Sequence, residues 1–319
     1  MKYIWKDMYL AGVMGILVPG LLLNVGVMAY GDDAPDKIVT EAVTIATMPE
    51  SPVSIRLLTD TESVDKDLEE YLVGVVLAEM PASFEEEALK AQAVVARTYG
   101  VRALEGISKH MEGDICSDAA CCQGYLNPND YGGTREELQK VRKAVSDTAG
   151  EVLIYQGELI EATYFSCSGG VTEDALAVWG TDVPYLQSVT SPGEENAAYY
   201  LDGVEFTLEE FLSKLDLELS GDPATWIGDV RYTAGGGVDF MTIGGKTFKG
   251  TEIRKLLGLR STAFDLDATE ETIAVTTRGY GHRVGMSQYG ADAMAMSGST
   301  YREILAYYYQ VVELVNWFD

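Results

Sequence analysis

The sequence predicts an α+β fold: a mixed main domain with an inserted α/β subdomain, preceded by one N-terminal transmembrane helix. Three observations predict it. Apolar residues recur at helical spacing between positions 68 and 104, and strand-like runs fall at 53–58 and 151–166. The two kinds of segment never settle into a regular βαβ series. The stretch Tyr9 to Tyr30 carries no charge over 22 residues, close to the ~20 that cross a bilayer as a helix.

The elements follow in order. Lys2 and Lys6 precede the apolar stretch, and Asp32, Asp33 and Asp36 follow it. This flank pattern puts the tail 1–8 in the cytoplasm, the anchor at 9–30, and the rest outside the cell membrane. The stretch is longer than the ~7–15-residue core of a cleaved signal peptide, which favours an uncleaved anchor. Residues 31–52 are acidic and rich in Thr, Pro and Ala, and read as a linker. The main domain spans 53–319. It begins with a strand from Val53 to Leu58 and a helix from Asp67 to Glu79 that Pro81 ends. Ser83 and Glu86 have the spacing of a capping box and open a second helix, Phe84 to Leu104. On it Leu89, Ala93, Ala96 and Gly100 make a small, tightly packing face. Residues 110–133 read as loop, and Arg135 to Thr148 as helix. Strands at Glu151–Tyr155 and Leu159–Ser166 flank the hairpin turn Gln156-Gly157-Glu158. Ser168-Gly169-Gly170 is a tight turn. Residues 194–270 alternate helix and strand signals and read as the inserted subdomain. A strand at 272–277, a Gly-rich turn at 279–285 and two helices within 287–309 complete the chain.

Charge narrows the function. Fifty acidic residues stand against 23 basic ones, for a net charge of −27. Such a chain repels a phosphate backbone, so no nucleic-acid partner is expected. A neutral sugar ligand is compatible with this charge. Gly244-Gly245-Lys246-Thr247 fails as a phosphate loop, because Phe240 occupies the required first Gly position. His282 and Ser287 lack the nucleophile elbow of a Ser/His hydrolase.

Two groups of residues carry chemistry. Glu79 ends an apolar run (Val75, Val76, Leu77, Ala78) and precedes Met80-Pro81. A carboxyl group in such surroundings is a candidate general acid, because desolvation disfavours its charged form. Against that stands the common case of a solvated Glu at a helix end. The second group is His110, Cys116 and Cys122, spaced H-x5-C-x5-C in a Gly-containing loop. Thiolates and an imidazole suit zinc, although this is not a common zinc-finger spacing and a disulfide is the competing reading. Cys121 adjoins Cys122, and neighbouring side chains diverge, so only one of the two is expected to ligate. Cys167 is a remote option for a fourth ligand, and a small residue packed at a strand end is its favoured reading. A metallohydrolase reading, including a zinc-dependent amidase, lacks H-E-x-x-H.

Three blocks of sequence resemble one family. The run L-E-E-Y-x-x-G-V-V-x-x-E-M-P, then E-A-L-K-A-Q-A-V-x-A-R-T-Y, covers Leu68 to Tyr99. Tyr164-Phe165-Ser166-Cys167-Ser168-Gly169-Gly170 is the second block, and Gly279-Tyr280-Gly281-His282-Arg283-Val284-Gly285-Met286-Ser287-Gln288 the third. Together they resemble the stage II sporulation protein D family of peptidoglycan lytic transglycosylases, over about residues 50–315. Arg283 stands where that family more often has Gly, and Val311, after Tyr307-Tyr308-Tyr309-Gln310, likewise replaces a frequent Gly. The resemblance implies that Glu79 is the catalytic acid/base. It implies a glycan groove to which Arg97, Tyr164, Ser166, Ser168, His282, Ser287 and Gln288 contribute. It also implies a zinc ion on His110, Cys116 and Cys122, denuded glycan strands as substrate, and a membrane-anchored amidase of the sporulation protein P type as partner in forespore engulfment. A non-catalytic glycan-binding scaffold that recruits such an amidase is the alternative.

Overall fold

The computed structural model describes residues 53–318. The expected anchor at 9–30 and linker at 31–52 lie outside the described residues. Among the described residues no helix is long and apolar enough to cross a membrane.

The domain opens with an antiparallel hairpin of β1 (Ser54–Leu58) and β2 (Ser63–Asp67). Asp67 then caps α1 (Leu68–Glu79), its carboxylate accepting from the Glu70 N–H at 3.1 Å. The chain turns extended at Met80, and α2 (Glu86–Leu104) follows. The capping box expected at Ser83 and Glu86 does not form. Glu85 is the N-cap without a side-chain bond, and its N–H instead donates to Asp292 at 2.7 Å, from far along the chain. A short β3 (Ile115–Cys116) pairs parallel with β1, setting Cys116 beside Leu58.

Next comes α3 (Arg135–Asp147), with a complete capping box between Thr134 and Glu137. β4 (Glu151–Tyr155) and β5 (Glu158–Leu159) form the expected hairpin. Gln156 and Gly157 both have positive φ, 53° and 85°, as a tight two-residue turn requires. The expected single strand 159–166 is broken in two. β5 stays with β4, while β6 (Tyr164–Phe165) leaves for a different partner.

After α4 (Ala175–Trp179), the chain builds β7 (Leu201–Thr207), α5 (Leu208–Leu215), β8 (Ile227–Tyr232), β9 (Val238–Ile243), β10 (Lys246–Lys249), α6 (Gly250–Leu257), β11 (Ala263–Ala268) and β12 (Thr272–Arg278). These strands form two antiparallel sheets, ordered β10-β9-β8 and β11-β12-β7. Their apolar residues close a core of their own around Phe211, Phe248, Phe264 and Ile273. The remaining elements return to the first core: β13 (Met286–Ser287), α7 (Gln288–Met296), α8 (Tyr301–Tyr308) and β14 (Glu313–Asn316), which pairs antiparallel with β4. β13 pairs parallel with β6.

At the centre of the first core lies α2. Leu89, Ala93, Ala96 and Gly100 are all buried, as the small face predicted, but so are Val94, Val95 and Arg97 on the other faces. It packs against α1, α3, β4, α7 and α8. Small residues let five elements approach one helix, and this burial comes from tertiary packing rather than from an amphipathic stripe.

Candidate active site and metal centre

Glu79 is delivered by the last turn of α1, half-buried. Burial raises its pKa, and two hydrogen bonds oppose that without cancelling it. The Gly124 N–H donates to Oε1 at 2.5 Å, and the Tyr164 hydroxyl bonds the same carboxyl. Burial also holds the Tyr164 phenol well above its ordinary pKa, so it is neutral and free to donate. Gln123 Nε2 in turn donates to the Tyr164 oxygen at 3.3 Å, and the Tyr71 hydroxyl donates to Gln123 Oε1 at 3.0 Å. Glu79 therefore stands at the end of a chain of oriented dipoles running Tyr71, Gln123, Tyr164. Among the described residues, the groups that shift its pKa are Gly124 and Tyr164, and no second carboxylate is one of them.

The loop that supplies Gln123 and Gly124 docks on α1 at a single glycine. The Leu126 N–H donates to the Gly74 carbonyl at 3.0 Å. A Cβ on Gly74 would lie 2.2 Å from Tyr125 Cε2, so only glycine admits the loop this close. Tyr125 also stacks on Tyr71, with ring centroids 5.8 Å apart and planes 5° apart.

The same loop carries the sulfur ligands. His110, Cys116, Cys121 and Cys122 place one ligand atom each within 4.8 Å of all the others. His110 Nε2 lies 3.3 Å from Cys122 Sγ and 3.7 Å from Cys121 Sγ. Ser108 Oγ fixes the turn by accepting from the His110 N–H at 3.0 Å. The three ligands expected from sequence are thus together, and the chemistry of the donors suits a soft divalent ion such as zinc. One expectation needs correction: Cys121 does not diverge from Cys122, and its sulfur is in the cluster. Cys167 is the packed residue at a strand end, buried with its thiol 3.3 Å from Glu194 Oε2.

The pairing of β6 with β13 brings the second and third motif blocks side by side. Cys167 and Tyr280 extend the contact by exchanging both backbone hydrogen bonds. Of the residues expected in a groove, Tyr164 is at Glu79. Ser166 is half-buried, its carbonyl accepting from the Tyr289 N–H. The His282 ring packs on Phe165 and on the exposed Trp179, with centroids 5.7 and 5.4 Å away. Burial, and then Arg254, lower its pKa to about 4, so it is neutral at pH 7.

Four other placements depart from expectation. Arg97 is 0% exposed and forms a two-pronged ion pair with Glu69, at 2.8 and 2.7 Å, where no substrate reaches it. Ser168 and Ser287 are also fully buried, because both hydroxyls are spent on the Glu194 carboxylate. That carboxylate further accepts from the Ser168 and Gly169 N–H groups and from Ser191. Gln288 is buried as well, its amide directed at Gln92 Oε1, 3.4 Å away. These four side chains hold the scaffold together rather than line an open groove.

Sequence reasoning missed Tyr71, Gln123, Gly124 and Glu194. Gln123-Gly124 directly follow the paired cysteines, which was the available signal. Glu194 lies in Ser191-Pro192-Gly193-Glu194, which looks like any solvated acidic turn.

Comparison with known proteins gives the family. The family model for stage II sporulation protein matches residues 59–155, the stretch that holds α1, α2 and the Cys loop. Stage II sporulation protein D of Bacillus subtilis (strain 168) is 41% identical over 94% of this chain and 92% of its own length. Its counterpart in Bacillus amyloliquefaciens is 41% identical over 84% of this chain and 80% of its own. A protein of Bacillus subtilis (strain 168) named amidase enhancer is 30% identical over 77% of this chain, but over only 40% of its own length. With such identity along almost the whole of a relative, and a family-model match over the site, the chain belongs to the stage II sporulation protein D family.

Proposed function

We propose that this protein is a peptidoglycan lytic transglycosylase that acts on denuded glycan strands, with Glu79 as its single acid/base. The observation that carries the reading is the setting of Glu79: a half-buried carboxyl group with a raised pKa, two fixed donors and no carboxylate partner acting on it. Burial keeps a protonated fraction available to a leaving group. Glu79 gives its proton to the glycosidic oxygen as the bond to muramic acid C1 breaks. The muramic acid 6-hydroxyl then closes onto C1 and returns a proton to Glu79, leaving a 1,6-anhydro end. No water is consumed. A second carboxylate at the ~5 Å spacing of a retaining hydrolase would repel the charge on Glu79 and raise its pKa further.

His110, Cys116 and Cys122 would hold a zinc ion, which supplies a structural cross-link at the base of the loop. The two residues after Cys122 are those that bond Tyr164 and Glu79, so the cross-link fixes the acid's donors. The anchor read at 9–30 would put the domain outside the mother-cell membrane, within reach of the wall and of a membrane-anchored amidase of the sporulation protein P type. In the engulfment setting that amidase strips the stem peptides and this chain cuts the bare strands. The amidase-enhancer relative favours a second reading, in which the chain binds glycan and stimulates an amidase without cutting.

The test is mass spectrometry of denuded glycan strands incubated with the full chain. Fragments ending in 1,6-anhydro-muramic acid, reduced at least about 1,000-fold by Glu79→Gln, are the expected outcome. Reducing ends would show a hydrolase. Binding without cleavage would favour the scaffold reading.

A further inference from the structure

The His/Cys cluster holds one more donor than the motif spacing calls for. In a tetrahedral zinc site, bonds of ~2.3 Å to sulfur and ~2.0–2.1 Å to nitrogen set S···S edges of about 3.8 Å and S···N edges of about 3.6 Å. Two of the edges that involve Cys121 match. Its sulfur is 3.9 Å from Cys122 Sγ and 3.7 Å from His110 Nε2. The remaining His110–Cys122 edge is 3.3 Å, and Cys116 Sγ is within 4.8 Å of all three.

The backbone explains how two neighbouring cysteines reach one point. The Cys121 and Cys122 N–H groups both donate to the Asp118 carbonyl, at 3.0 and 2.8 Å, so the two residues close one tight turn on the same oxygen. Asp118 Oδ1 also accepts from the Ala120 N–H at 2.8 Å, and Lys109 donates to the Cys121 carbonyl. Both ends of Cys121 are therefore fixed with its sulfur facing the other three donors. The sulfurs at 3.9 Å are far outside the ~2.05 Å of a disulfide.

We propose that Cys121 is the fourth protein ligand of the metal site, which is then a closed centre of three thiolates and one imidazole. This rests on the zinc reading above and sharpens it. Three protein ligands with an open position describe a site that can bind water or substrate, whereas four describe a structural site. With Cys121 bound, the ion has no coordination place for a water molecule. It cannot take part in hydrolysis and acts only as a clasp on the loop that carries Gln123 and Gly124. Each thiol gives up its proton to solvent on binding, so uptake releases up to three protons and weakens as pH falls.

The experiment is zinc-edge X-ray absorption on the full chain, purified under reducing conditions and loaded with one equivalent of zinc. The expected first shell is three sulfurs and one nitrogen. Cobalt substitution gives an independent readout: the thiolate-to-cobalt charge-transfer intensity should fall by about one third in Cys121→Ser and by the same share in Cys116→Ser. A first shell of two sulfurs and two lighter atoms in the wild-type chain would overturn the proposal and leave the zinc reading standing. Failure to take up zinc at all would overturn both. The wild-type measurement decides alone, so a Cys121 variant that fails to fold does not obscure the answer.

Discussion

At Glu79 two opposing effects act on one carboxyl group, and burial is the larger. Tyr164 donates to the ionised form, so it holds the pKa below where burial alone would leave it. Tyr164→Phe removes that donor, and the pKa moves further up. Activity that needs protonated Glu79 falls as pH rises through this pKa, so the alkaline limb of the cleavage profile should shift to higher pH in the variant. A merely structural Tyr164 would lower the rate at every pH without moving the limb. A different strain is visible at Val311, which has φ of 55° and is 69% exposed. A β-branched residue is a genuine outlier there. Val311→Gly should raise stability by about 1 kcal/mol, measured by denaturant unfolding, because relief of the left-handed strain outweighs the added chain entropy. The sequence already marked both sites, Glu79 by its apolar setting and Val311 as a departure from a frequent Gly. What it could not mark was whether a polar residue is already partnered. Arg97 finds Glu69 on another helix, and Ser168 and Ser287 find Glu194 from separate parts of the chain.

Among the elements, α2 shows what a buried charge does for a helix surrounded by five others. Arg97 joins Glu69 on α1 to the Val145 carbonyl on α3 and the Glu151 carbonyl on β4. Arg97→Ala leaves Glu69 buried and unpaired, and should cost about 3–5 kcal/mol in chemical denaturation. Removing both charges in Arg97→Met with Glu69→Leu should recover most of that loss, because the pair's desolvation goes with it. The strongly periodic helices and the hairpin 151–159 were legible because their signals are local. The start of α2 was not: the N–H of its N-cap residue Glu85 bonds Asp292, 207 residues downstream. The split of 159–166 was hidden for the same reason. Tyr164 and Phe165 pair with Met286 and Ser287, and nothing within eight residues announces the change of sheet.

At the scale of the whole molecule, the described residues form two apolar cores, and a charged pair bridges them. Arg283 donates to the Ser168 and Val171 carbonyls on the first side and to the Gly235 carbonyl in the β8–β9 turn on the other. Its partner Glu173 accepts from the Gly237 N–H and Thr233 hydroxyl of that turn. Arg283 keeps φ of 66°, so the turn retains the left-handed form that Gly would adopt freely. Arg283→Gly eases the backbone but deletes the bridge, whose hydrogen bonds to a charged group are each worth about 1.5–3 kcal/mol. Amide exchange across 227–249 should accelerate at least about tenfold, with α1 and α2 unchanged. The alternating signals of 194–270 were readable from sequence, but this join was not, because its two ends are 110 residues apart.

The β6–β13 pairing also sets an order of completion. Glu79, the Cys loop and Gly124 are all encoded before residue 130, yet the strand that supplies Tyr164 is anchored by residues 286–287. Contacts so distant along the chain form late, after the local helices. A ribosome must finish nearly the entire polypeptide before the carboxyl group gains its full setting. A chain still being made therefore carries its acid without the framework that tunes it, and competence coincides with release.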